Sequence, residues 1–228
     1  ATELAHEAAA KNFYAVVAIG GDGTVNEIGK GLVGTQTAMA FLPAGSGNGL
    51  ARHLKIPINL SKAMSVINSG RIISIDTVNM NNEMYVGMAG IGFDAHIGWK
   101  FATFGKRGFW SYVKIFLREY PKYKAQDYEI CLDGKTISKN AFLISFANGS
   151  QYGNNAAIAP EADLQDGLLD VCVLKNFPLY SVPYLAWRLF NQLMHQSKYM
   201  ETFRTKEILI KQNSDAAHID GEPVHFVI

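Results

Sequence analysis

The chain has 228 residues, 48% of them hydrophobic and 18% charged, which is enough for one compact unit or two small ones; a net charge of +1 gives no general attraction for nucleic acid. Its two cysteines, Cys131 and Cys172, lie in apolar strand-like runs without metal spacing and read as buried reduced thiols, which fits the cytoplasm. No apolar run approaches the ~20 residues that span a bilayer and the N-terminus lacks a signal-peptide core, so membrane contact is expected to be peripheral.

Residues 1–10 predict a helix already under way, with Leu4 and Ala8 on one face and no N-cap, so the chain is expected to begin inside its first domain. Residues 14–19 form an unbroken apolar run, as expected of a parallel strand covered on both faces. They lead into Gly20-Gly21-Asp22-Gly23-Thr24-Val25-Asn26-Glu27. Thr24 and Glu27 have capping-box spacing, and Val25, Ile28 and Leu32 follow at helical spacing, which predicts a helix starting here. Free N–H groups and the positive end of the dipole favour an anion, phosphate above all. The loop is not a Walker loop, because five residues separate Gly23 from Gly29 and Lys30 is followed by Gly31; nor is it the dinucleotide fingerprint, whose third glycine is here Asn26. Asp22 would repel phosphates unless it holds Mg²⁺, a ribose hydroxyl or a donor, which points to a nucleotide-metal site; the plainer alternative is a glycine turn with a solvated Asp.

Gly34 ends that helix, and residues 38–42 predict a second buried strand. Another glycine loop follows, Pro43-Ala44-Gly45-Ser46-Gly47-Asn48-Gly49, with Asn48 as the expected N-cap and Ser46 free to bond phosphate oxygens. Ser61 is read as the cap of a helix closed by Gly70. From Arg71 the pattern becomes strand and hairpin: residues 72–80, an Asn81-Asn82 turn, then residues 83–89, with Asp76 interrupting the first strand as an edge residue would.

Residues 93–124 interleave aromatics (Phe101, Phe104, Phe109, Trp110, Tyr112, Phe116, Tyr120, Tyr123) with Lys and Arg, including Lys106 and Arg107. Two readings stay open: a segment seated in an anionic headgroup layer, or amphipathic helices with their aromatics in the core. Residues 126–132, an Asp133-Gly134 turn and residues 140–147 predict an antiparallel hairpin, and residues 148–159 a loop. Three carboxylates, Asp163, Asp166 and Glu161, precede a buried strand at residues 168–174. They are either hard-oxygen ligands on a turn or solvated acids. Residues 179–194 carry a helical apolar stripe (Val182, Leu185, Ala186, Leu189, Phe190, Leu193) that core packing explains, and residues 207–211 predict a strand. The histidines show no metal spacing. Last comes His218-Ile219-Asp220-Gly221-Glu222-Pro223.

Taken in order, these blocks resemble the diacylglycerol kinase and sphingosine kinase family of lipid kinases, whose nucleotide motif is similar to Gly20–Glu27; NAD kinases and phosphofructokinases share part of it. The second loop resembles the family's Gly-Thr-x-Asn-Asp through Gly45, Ser46, Gly47 and Asn48, with Gly49 where an Asp is common. The resemblance implies an acidic residue near the nucleotide at Asp76, and a structural Mg²⁺, for which Asp163, Asp166 and the carbonyl of Leu168 are the candidates; Asp170, within the strand, is read as a surface residue. It also implies catalytic carboxylates at Asp220 and Glu222, with Glu222 favoured as the base. The fold implied is an NAD-kinase-like α/β nucleotide-binding domain, residues 1–75, followed by an antiparallel β-rich sandwich domain, residues 76–228, each expected to lack its outer segment. The activity implied is ATP- and Mg²⁺-dependent phosphorylation of a lipid hydroxyl, diacylglycerol or a relative, by a cytoplasmic protein peripheral to an anionic membrane surface. A homodimer is allowed and no nucleic-acid partner is expected. A kinase of soluble substrates, as NAD kinases are, and a noncatalytic nucleotide-binding module are the alternatives.

Overall fold

The structure, a computed structural model, describes residues 1–103 and 109–226. The chain opens with α1 (Thr2–Ala10), β1 (Ala15–Gly20), α2 (Asp22–Leu32), β2 (Ala38–Pro43), α3 (Gly49–His53) and α4 (Leu60–Asn68). β1 and β2 are parallel neighbours, with Gly20 opposite Pro43, so both glycine loops leave the same end of one sheet. Val16 and Ala18 share a core with α1 and α2, whereas Val17 and Ile19 are exposed, Ile19 by 64%. The run at 14–19 is thus apolar without being covered on both faces. α2 begins three residues earlier than the capping-box spacing predicts: Gly21 is the N-cap and Thr24 lies inside the first turn. Asn59, not Ser61, caps α4, its side chain accepting from the Lys62 N–H at 3.1 Å.

The second half continues with β3 (Val78–Met80), β4 (Glu83–Tyr85), β5 (Met88–Gly92), α5 (Phe93–Thr103), α6 (Phe109–Glu119), β6 (Gln126–Leu132), β7 (Lys135–Ala141) and β8 (Leu143–Ala147). β9 (Leu169–Leu174), α7 (Val182–Phe190), β10 (Met200–Thr205), β11 (Ile208–Lys211), β12 (Ala216–Ile219) and β13 (Glu222–His225) complete it. A six-stranded antiparallel sheet runs β10-β9-β8-β5-β12-β13, and β11-β6-β7 form a second sheet. Tyr128 and Ile130 of the small sheet pack against Ile91, Ile144, Val171 and Val173 of the large one, giving the sandwich core. The opposite face of the large sheet carries α5, α6 and α7 over a second core with Phe93, Ile97, Ile115, Phe142, Cys172 and Leu185. The α/β-plus-sandwich expectation stands.

Residues 140–147 divide between two sheets: β7 closes the hairpin through Asp133-Gly134, and the chain crosses at Phe142 into β8. The strand expected from 72 starts only at Val78, and β10 carried no sequence signal that we read. Phe93, Phe116, Tyr120 and Tyr123 belong to the helical core, as amphipathic helices require. Phe104, Lys106 and Arg107, and the side chains of Phe101, Phe109, Trp110 and Tyr112, lie outside what the structure describes. Both cysteines are free, and burial pushes the Cys172 thiol up to about 12. Among the described residues no helix is long and apolar enough to cross a membrane.

Candidate active site

The two glycine loops touch. A Cβ on Gly45 would lie 2.3 Å from the Cα of Gly21, so only glycine lets the backbones approach this closely. Asp22, first residue of α2, accepts the Leu50 N–H of α3 at 3.2 Å. Of the partners expected for this carboxylate it has the donor: it caps the second helix and ties the loops together. Asn48 precedes α3 in the left-handed region but makes no cap bond. Its amide instead closes the loop on itself, Oδ1 accepting from Gly45 N–H at 2.9 Å and Nδ2 donating to the Gly45 carbonyl at 2.7 Å. Ser46 is exposed at the loop's tip. Gly45→Ala is therefore expected to cost about 2 kcal/mol in urea unfolding, because backbone rather than a flexible side chain must give way.

Residues 148–159 close over the second loop. Asn154 N–H donates to the Gly47 carbonyl at 3.1 Å, Arg52 Nη1 to Asn155 Oδ1 at 2.9 Å, and Ser150 N–H to His53 Nδ1 at 3.0 Å. A Cβ at Gly49 would meet the Gln151 carbonyl oxygen at 2.7 Å, which is the physical reason this chain has glycine where the resembled motif has Asp.

The β12–β13 hairpin brings the carboxylates in. Asp220 and Gly221, both at positive φ, make its two-residue turn. Glu222 Oε1 reaches to 3.2 Å from where a Cβ on Gly23 would sit, at the amino end of α2. Between them lies a cleft also lined by Asn26, Glu27, Lys30 and Glu83. Asp220 is clamped to β5: its Oδ1 accepts from Met88 N–H at 2.8 Å, and its own N–H donates to the Met88 carbonyl at 2.8 Å. Gly87 makes room, since a Cβ there would lie 2.4 Å from Oδ1. Asp220 Oδ2 and Asn26 Oδ1 are buried without protein partners. Burial, and secondarily the charge of Asp22, raise the Asp220 carboxyl from 3.8 to about 6, the range of a working general base. Three residues of the site escaped the sequence reading: Lys30 and Glu83, which line the cleft and pair at 2.7 Å, and Gly87, which makes room for Asp220. Lys30 was findable, since it shares a helical face with Gly23 and Asn26; Gly87 was not.

Asp76 sits on the acidic turn, its Oδ2 accepting from Gly167 N–H at 2.7 Å and its N–H donating to the Leu164 carbonyl at 2.6 Å. Asn148 Nδ2 binds the Asp76 carbonyl at 2.8 Å, so this residue joins the two halves of the chain. Asp163 and Asp166 each turn one oxygen to backbone, accepting from Gln165 and Leu168 N–H at 2.9 Å. Among the described residues no three His, Cys, Asp or Glu side chains converge as a metal site. Asp170, expected at the surface, is 2% exposed, because β9 is covered by both layers; it pairs with Arg204 at 3.2 Å, and burial raises its carboxyl.

Behind the hairpin lies a buried ion pair that sequence reasoning missed: His218 Nε2 and Asp94 Oδ2, 2.9 Å apart. Tyr152 donates to the same oxygen at 2.6 Å and Ser145 at 3.3 Å. Burial is the largest single influence and alone would neutralise both, but the mutual charge and the hydrogen bonds together outweigh it, raising His218 and lowering Asp94.

The fold and site thus define a two-domain protein of NAD-kinase-like architecture, with paired glycine loops meeting a carboxylate hairpin. Sequence profiles agree: residues 1–80 match the diacylglycerol kinase catalytic domain, and residues 87–227 the YegS C-terminal NAD kinase beta sandwich-like domain. A Pectobacterium atrosepticum protein named "Probable lipid kinase YegS-like" is 30% identical over 92% of this chain and 71% of its own length. A Yersinia enterocolitica protein of the same name is 29% identical over 98% of this chain and 77% of its own length. The "Diacylglycerol kinase" of Bacillus subtilis is 29% identical over 77% of this chain and 60% of its own length. A solved Bacillus anthracis str. Sterne structure, titled as a diacylglycerol kinase, superposes with a TM-score of 0.79 over 99% of this chain and 76% of that one; at 24% identity it shows the shared fold. The chain belongs to the YegS-like lipid kinase family.

Proposed function

We propose that this protein transfers the γ-phosphoryl group of ATP to the hydroxyl of a lipid, diacylglycerol or a close relative. The observation that carries the reading is the placement of Asp220, a buried carboxylate with one unpartnered oxygen and a pKa raised to about 6, against the amino end of α2. The paired loops, Gly20–Thr24 and Gly45–Asn48, bring helix starts and the backbone of Ser46 and Gly47 to a polyphosphate, the Gly45 N–H being held by Asn48. Val25 packs behind them, while Asn26 and Glu27 line the cleft. Asp220 Oδ2 takes the lipid hydroxyl proton as that oxygen bonds to the γ-phosphorus, while the bond to the ADP oxygen breaks and its electron pair leaves with ADP. This divides the roles differently from the sequence expectation: Asp220 is the base, and the exposed Glu222 orients the acceptor.

The donor chemistry around Asp163 suits Mg²⁺. The second oxygens of Asp163 and Asp166 and the Leu168 carbonyl are hard oxygen donors on one tight turn and would hold the ion, with Asp76 fixing that turn. Asp22 and Asp220 repel each other, and Mg²⁺ bound with the nucleotide would supply the charge neutralisation that two carboxylates facing a polyphosphate need.

Full-length protein given labelled ATP-Mg and presented separately with diacylglycerol, a long-chain amino alcohol and NAD is expected to label the diacylglycerol. Labelling of NAD alone would overturn the lipid assignment. Nucleotide binding without any transfer would favour a noncatalytic module.

A further inference from the structure

The helical layer over the six-stranded sheet is polarised in charge. Among the described residues between Ala95 and Gln126 there are five Lys and Arg (Lys100, Lys114, Arg118, Lys122 and Lys124) and a single carboxylate, Glu119; between Val171 and Met200 there are three Lys and Arg and no carboxylate, with Lys175 paired to Glu201 just beyond at 2.5 Å. Glu119 adds no exposed negative charge, since its side chain is 6% exposed and bound by Arg118 at 2.9 Å and His96 at 3.1 Å. The chain as a whole is nearly neutral, so this basic layer is local.

On this layer α7 is apolar on two faces. Val182, Leu185 and Leu189 point into the core, as the sequence stripe predicts. Tyr184 and Trp187 of α7, with Tyr180 and Leu179 in the short 3-10 turn just before it, form a second stripe that is exposed, Tyr180 by 83% and Trp187 by 56%. Arg188 lies over the Tyr184 ring at 4.7 Å. The neighbouring outer face of α6 carries Lys114, Leu117 and Arg118, followed by Lys122, all exposed. The two faces are continuous: the Tyr120 hydroxyl, just past α6, donates to the Phe177 carbonyl, just before Leu179, and their rings lie 5.4 Å apart.

We propose that the outer stripe of α7, with the basic edge of α6, is the surface by which this protein docks on an anionic bilayer. Tyr and Trp suit the headgroup level, where an apolar ring and a polar tip are both satisfied, and the flanking cations meet the negative surface potential. A second copy of the chain is disfavoured as occupant, because a two-fold contact would set the exposed Lys114, Arg118 and Lys122 near their own copies. The proposal locates the membrane contact of the lipid kinase read above and rests on that reading.

The test is co-sedimentation of full-length protein with vesicles, without nucleotide or diacylglycerol. Wild-type protein is expected to bind phosphatidylglycerol-containing vesicles and to leave pure phosphatidylcholine vesicles unbound, with binding falling as salt rises. The pair Tyr180→Ser, Trp187→Ser and the pair Arg118→Glu, Lys122→Glu should each reduce binding about tenfold or more. Phosphorylation of a short-chain diacylglycerol in detergent micelles should stay at the wild-type level, which separates failure of the docking surface from failure of the kinase reading. Folded variants that bind vesicles like wild type would overturn the proposal. So would a shift from dimer to monomer in the Tyr180, Trp187 pair, which would assign the surface to a second copy.

Discussion

Asp220→Asn is expected to lose turnover by a hundredfold or more while unfolding at a higher temperature than the wild type. The loss follows from removing the base. The gain follows from burial: the folded state holds the Asp220 proton up to about pH 6, whereas an unfolded aspartate releases it near 3.8. Between these values the folded chain binds more protons than the unfolded one, so stability falls as pH rises through the window and the ionised group is a net cost above it. At ~1.4 kcal/mol per pH unit that cost is on the order of 2–3 kcal/mol at neutral pH, an upper figure that corresponds to a gain of roughly 5 °C for a chain this size. Asparagine keeps the acceptor for Met88 N–H, so the clamp on β5 survives. Activity of the wild type should fall below about pH 6 as Asp220 is protonated. Calorimetric melting and steady-state rates across pH 5–8 decide it: wild-type turnover in the Asn variant removes Asp220 as base. Glu222→Gln, an exposed position, is the comparison and should leave the melting temperature in place.

His218→Gln should destabilise the protein by about 3–5 kcal/mol, because it strands the Asp94 carboxylate in the core. Adding Asp94→Asn to it should recover part of the loss, since the neutral amide can still accept from Tyr152 and Ser145. In the wild type the His218 share is present below pH 6.5 and fades as pH rises through its raised folded value. The Asp94 share is present above 3.8 and fades as pH falls through its lowered one. The pair therefore contributes most from about pH 4 to 6.5. Urea unfolding of the two single variants and the double variant closes the cycle; additive losses would show that the two residues are not coupled. A disturbed pair should also loosen Asp220, two residues along from His218, and lower kcat more than it raises KM.

The sequence by itself determined what depends on neighbours along the chain. Strand, glycine loop and helix recur twice because glycine and helix-start chemistry are local, and the turns at Asn81-Asn82, Asp133-Gly134 and Asp220-Gly221 all lie at positive φ as their residue types require. The order of the motifs was enough to imply the family and its two-layer second half. The tertiary structure decided everything that depends on partners remote in sequence. Asp22 reads as a phosphate-facing acid until Leu50, 28 residues on, supplies the N–H it caps. Asp76 reads as an edge residue until Gly167, 91 residues on, closes the acidic turn on it. Residues 140–147 are one strand by periodicity and two by pairing, since alternation does not say which sheet covers a face. Burial separates Asp220 from Glu222 within a single turn, raising the carboxyl of the first, and only the packing of β5 and α2 around that turn creates the difference. The same reason governs α7, where composition shows apolar residues on both faces and only the surrounding layer determines which of them meet the core and which are left outside.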